Sequence, residues 1–101
     1  MKLIYCTCNV SVLDALVKRI DELGIESYQI IEQVLAKNSK GDSRLNTAVW
    51  PGYNSSIVMQ IPNHSKATAV MEAIREFNKS AFNDNELVTA ALLPMEDFCC
   101  D

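Results

Sequence analysis

Four short apolar runs and two stretches of helical period follow one another in a fixed order along this chain, and that order is its strongest constraint. Leu3 to Cys8 is rich in β-branched, aromatic and apolar side chains, which predicts a first strand. Ser11 then reads as a helix N-cap with Asp14 three positions on. Leu13, Leu16, Val17, Ile20 and Leu23 recur at helical spacing between charged residues, and Gly24 closes that helix. Glu26 to Ala36 predicts a second strand and Ser56 to Ile61 a third, ended by Pro62. A second helix begins near Asn63 or Ser65, with Ala67, Val70, Met71, Ile74 and Phe77 as its apolar stripe. Leu87 to Leu93 is the fourth strand, and Met95 to Asp101 is a tail.

The order β-α-β-β-α-β is the ferredoxin-like arrangement, an α+β sandwich. Right-handed crossovers put both helices on one face of a four-stranded antiparallel sheet. With 101 residues the chain reads as a single domain, with a long loop at 37–55 and a tail at 95–101. The bare sheet face carries apolar side chains where an antiparallel sheet with a wet face should alternate. Gln29, Glu32, Gln33, Gln60 and Thr89 are the main exceptions. Seven tail residues are too few to cover four strands, so the pattern predicts subunits packed sheet to sheet.

Residues 37–55 separate strands that should be hairpin neighbours, a connection far longer than the two to five residues a hairpin needs. Arg44 lies in its polar first half, and Trp50-Pro51-Gly52-Tyr53 forms the second. Trp50 is the only tryptophan; it serves either as a binding anchor or as packing against a sheet edge or subunit interface.

Net charge is −4, so there is no basic surplus for phosphate contacts and no nucleic-acid partner is expected. No stretch is long enough to span a bilayer, and the reading is a cytoplasmic protein that is not itself a membrane protein. Its four cysteines are then thiols, used for packing, metal binding or redox chemistry. Cys6 and Cys8 share one face of a strand as a C-x-C pair, suited either to burial or to a soft metal such as Cu or Zn, with Cys8 the more exposed of the two. Cys99 and Cys100 lie in an acidic tail, and His64 is the only histidine. Cys8, His64, Cys99 and Cys100 are the metal candidates, although a site within one subunit would require the tail to double back toward Cys8. No Ser-His-Asp set, HExxH, P-loop or GxGxxG is present, so no enzyme activity is expected.

The layout, with its large loop after the second strand, its short link before the fourth and its tail, resembles the nitrogen-regulatory P-II-like superfamily over nearly the whole chain. That resemblance implies a ferredoxin-like homotrimer that binds a small effector between subunits and engages a transporter or enzyme through the long loop. Arg44, Trp50, Gly52 and Tyr53 would be its contacts. Classical members carry a glycine- and lysine-rich phosphate loop before the last strand. Here that stretch runs from Asn78 to Asn85 without glycine and with the single lysine Lys79, which argues against ATP binding of the usual kind. The cysteines make the chain more similar to the short members associated with heavy-metal efflux pumps. The alternative is the CutA-type divalent-cation tolerance family, which Trp50-Pro51-Gly52 loosely resembles, and in which the cysteines themselves would bind metal. The glutamate and lysine expected on the following strand are missing from Ile57 to Ile61.

Overall fold

A computed structural model describes residues 1–37 and 52–99. Its strands and helices are β1 (Lys2–Asn9), α1 (Leu13–Glu22), β2 (Tyr28–Val34), β3 (Asn54–Ile61), α2 (His64–Lys79) and β4 (Thr89–Pro94). The strands form one antiparallel sheet in the order β2-β3-β1-β4, with β1 and β3 in the centre. This is the ferredoxin-like α+β fold expected from the sequence.

Register decides which side chains meet the helices. Ile4 pairs with Met59, Cys6 with Ile57 and Cys8 with Ser55, and all six are buried. They pack against Leu16 and Ile20 of α1 and against Ala67, Val70 and Ile74 of α2. Burial of such aliphatic side chains contributes roughly 1.5–3 kcal/mol each. Side chains one residue out of step point to the opposite, helix-free face.

The ends of the helices follow from local chemistry. Asn63 caps α2 by accepting the Lys66 backbone N–H at 3.2 Å. Gly24 takes φ +74°, the left-handed conformation that closes α1, and donates its N–H to the Asp21 carbonyl. Lys66 Nζ in turn donates to the Gly24 carbonyl at 2.8 Å, tying the end of α1 to the start of α2. The start of α1 departs from expectation. Ser11 is not a cap; Asn9 Oδ1 accepts the Ser11 N–H instead, starting a 3-10 turn at Val10–Val12 that leads into α1.

β2 also ends earlier than predicted, and β3 begins earlier. Ile31 pairs with Ser56 but Val34 with Asn54, so β2 holds one extra residue. Ser55 Oγ donates to the Glu32 carbonyl at 2.6 Å within this bulge, which satisfies a group the ladder leaves over. The bulge moves Val34 from the Tyr28 and Ile30 side to the Ile31 side. Asn54 and Ser55, read as loop from their polarity, are buried strand residues.

The helix-free face is mixed rather than continuously apolar. Leu3, Tyr5, Ile31, Val58, Ala91 and Leu93 lie on it, with Tyr5, Ile31 and Leu93 at 41%, 46% and 42% exposure. Thr7 and Ser56 interrupt them, linked by a contact of 3.2 Å between their hydroxyls, with Tyr5 Oη 3.1 Å from Ser56 Oγ. Gln60 Nε2 donates to Gln29 Oε1 at 2.8 Å on the same face.

Candidate functional site

The helices and strands run so that the sheet has two structurally distinct ends. At one end lie the close of β1, the start of α1, the close of β2, the start of β3, the close of α2 and the start of β4. The segment 38–51 joins β2 to β3 from this end. Arg44 and Trp50 fall in that segment, outside the described residues, whereas Gly52 and Tyr53 form its exit. Gly52 takes φ +86°, which favours glycine, and the Tyr53 carbonyl accepts the Val10 N–H at 3.4 Å. The base of the loop is thereby fastened to the end of β1.

A cleft of about 380 Å³ opens at the same end between α1 and α2. Val12, Ala15, Phe77 and Ala81 give it an apolar lining, with Ser80 and Glu86 as its polar groups. The turn between α2 and β4 forms one wall and is held by its own side chains. Glu86 Oε2 accepts the Phe82 N–H at 3.3 Å, and Asn83 Oδ1 accepts the Asn85 N–H at 2.9 Å. Phe82 itself is 93% exposed. Lys79 Nζ lies 2.8 Å from Glu76 Oε1, a bond that holds its ammonium above the ordinary lysine range. Asn78 latches the far side of the turn: its Nδ2 donates to the Val88 carbonyl at 2.9 Å, and its Oδ1 accepts the Val88 N–H at 2.8 Å. Val88 is buried but precedes the β4 ladder, so Asn78 replaces the strand pairing that the sequence had predicted from Leu87 onward.

The opposite end holds a second cleft of about 440 Å³, lined by Ile25, Ser27, Ile61, Asn63, Lys66 and Phe98 among others. The tail reaches it because the Met95 N–H donates to the Met1 carbonyl, extending β4 beside β1. Phe98 thus sits near the start of α2, and Cys99 follows it, exposed.

This geometry divides the predicted metal ligands. Cys8 lies at the loop end, while His64 starts α2 at the tail end, about 20 Å away at 3.3 Å per strand residue. Cys99 belongs to the tail end with His64, and Cys100 lies outside the described residues. No group of three or more His, Cys, Asp or Glu side chains able to hold a metal forms among the described residues. The expectation that Cys8 is exposed is also corrected. It is 1% exposed because its side of β1 faces the helices, and burial pushes its thiol up to about 11. Cys6 is buried as well and pushed up to about 12, by burial first and by Cys8 second. Neutral buried thiols are poor metal ligands and poor nucleophiles.

The residues that sequence reasoning missed are Asn78, Phe82, Glu86 and Phe98. An asparagine in the last turn of a helix gives no signal that it bonds the backbone ten residues on. Glu86 carries no motif either, since its role depends on the turn that folds it back onto Phe82.

The chain has the fold of PII-like signalling proteins. A PII-like signalling protein from Thermus thermophilus superposes with a TM-score of 0.61 at 17% identity, covering 91% of this chain and 83% of that one. CPII, a nitrogen regulatory PII-like protein from Thiomonas intermedia K12, gives 0.66 at 14% identity in its complex with ADP, AMP and bicarbonate, covering 91% and 84%. The same protein with ADP, AMP and acetate gives 0.65 at 11% identity, covering 95% and 88%. No protein-family model matches the sequence, and no curated protein does. Among the described residues no helix is long and apolar enough to cross a membrane.

Proposed function

We propose that this chain is a PII-like regulator without catalytic activity. Three copies associate through the helix-free sheet face, a small effector binds between them at the loop end, and the segment 37–55 passes its state to a partner such as a membrane transporter. The site of action is the cytoplasm. The observation that carries this reading is the concentration of Tyr5, Ile31 and Leu93, each more than 40% exposed, on one face of a single chain. Exposed apolar surface of this kind marks an interaction site. Tyr53 and Gly52 supply the link from effector to loop, since they tether the loop to the end of β1 beside the cleft. The ligands bound to CPII support a small-molecule effector. An effector shifts the loop only insofar as it binds one loop arrangement more tightly than another.

Native mass spectrometry at micromolar protomer concentration tests the assembly. Three copies are expected, and a monomer overturns the intersubunit site.

A further inference from the structure

The cleft at the tail end has no part in the reading above, and it is lined by two side chains of opposite charge. It lies within one chain and measures about 440 Å³, inside the range of roughly 300–1,000 Å³ that small-molecule sites occupy. Ile25, Ile61, Pro62 and Phe98 supply its apolar lining. Ile25 and Ile61 are buried, whereas Phe98 stays 40% exposed, so the tail forms a wall of the cleft without filling it.

Lys66 and Asn63, at the start of α2, line the cleft as well. Lys66 Nζ spends one of its three donors on the Gly24 carbonyl, which leaves two. Asn63 Oδ1 accepts the Lys66 backbone N–H, and among the described residues its Nδ2 has no partner. Glu26, in the connection between α1 and β2, also lines the cleft. Among the described residues its carboxylate makes no hydrogen bond or ion pair, with Lys66 or with any other group. Ser27 and Gln60 are already engaged: Ser27 Oγ donates to Gln60 Oε1 at 3.2 Å, and Gln60 Nε2 donates to Gln29.

The cleft therefore offers one cation, one anion and an apolar surface. A simple anion would meet Lys66 but be repelled by Glu26, and a simple cation the reverse. A molecule carrying both charges satisfies both, and the apolar lining calls for an apolar body beside them. We infer that the tail-end cleft binds a small zwitterion with an apolar side chain, the chemistry of a free apolar α-amino acid. Its carboxylate meets Lys66 Nζ and Asn63 Nδ2, its ammonium meets Glu26, and its side chain packs against Ile61 and Phe98.

Amide-resolved NMR titration of the full chain tests the inference with three probes: L-phenylalanine, 3-phenylpropionate, which lacks the ammonium, and phenethylamine, which lacks the carboxylate. L-Phenylalanine is expected to shift the amides of Ile25, Ser27 and Lys66, and to bind about fivefold more tightly than either analogue, the effect of one partly exposed charge pair. Glu26→Gln should level L-phenylalanine with 3-phenylpropionate, and Lys66→Met should level it with phenethylamine. Because Lys66→Met also loses the bond to Gly24, Phe98→Ala serves as a second variant and should weaken all three probes alike. Amides of the cleft that L-phenylalanine leaves unmoved overturn the inference. So does an analogue that binds as tightly as L-phenylalanine, or a preference that Glu26→Gln leaves intact. The cleft belongs to a single chain, so these results are independent of the number of subunits, and a monomer by native mass spectrometry would fail the regulatory reading alone.

Discussion

Asn78 carries more of the structure than its half-buried position suggests. Its side chain makes the two hydrogen bonds that Val88 would otherwise make in a strand ladder, at 2.8 and 2.9 Å. Val88 is 4% exposed, so water cannot replace them. Asn78→Ala would leave one buried N–H and one buried carbonyl unpaired, each costing about 1–3 kcal/mol. Partial relaxation of the turn recovers some of this, and a net loss of about 3 kcal/mol is expected. For a domain of this size that is a large share of a total of roughly 5–15 kcal/mol. It corresponds to a fall in Tm of about 12–24 °C. Asn78→Asp retains only an acceptor, meets the Val88 N–H, and sets a carboxylate oxygen against the Val88 carbonyl. It should therefore be destabilising at neutral pH and partly recovered at low pH. Urea unfolding at a fixed protomer concentration is the assay, because assembly shifts apparent stability by mass action. An Asn78→Ala loss below about 1 kcal/mol would refute the claim that this side chain stands in for the ladder.

Three further outcomes follow from the packing. The two buried thiols resist ionisation, so the folded chain holds protons that the unfolded chain releases above pH 9; stability should fall as pH rises from about 9 toward 11, by about 1.4 kcal/mol per pH unit for each thiol. Alkaline unfolding of Cys6→Val should show a shallower slope than wild type, and equal slopes would contradict the assignment. Charge on the helix-free face should separate the subunits: Ile31→Asp together with Leu93→Asp is expected to give folded monomers by native mass spectrometry, and an intact assembly would place the interface elsewhere. Gly24→Ala should cost about 1–2 kcal/mol in thermal unfolding for φ +74° alone, since its new Cβ would lie an ordinary 3.6 Å from Lys66 Nζ. A neutral result would mean that the helix end relaxes to another conformation.

Periodicity made the architecture readable because each element buries a face of its own. The stripe Ala67, Val70 and Ile74 could be read without knowing its partners, and Gly24 and Asn63 announced their helix ends by residue type. Errors gathered where tertiary contacts override local character. Ser55 and Asn54 are polar, yet the bulge at Glu32 gives Ser55 a buried acceptor and draws both into β3. Ser11 had the chemistry of a cap, but Asn9 reaches the first free N–H before it. Thr7 and Ser56 are polar by type, but that they lie opposite each other on the sheet's second face and share a hydroxyl contact, 49 positions apart in the chain, is set by the register of β1 on β3. The place of Cys8 near a strand terminus argued for exposure, while strand parity aims it at the helices. The Glu86 contact with Phe82 could not be inferred from spacing at all.

The central position of β1 bears on how the chain comes together during synthesis. Its two neighbours, β3 and β4, begin at residues 54 and 89. Leu3, Ile4 and Tyr5 therefore leave the ribosome long before either mate exists. Closure of the sheet must wait for distant segments, which slows folding relative to locally paired topologies. During that wait the first strand is the part of the nascent protein most in need of shielding from other chains.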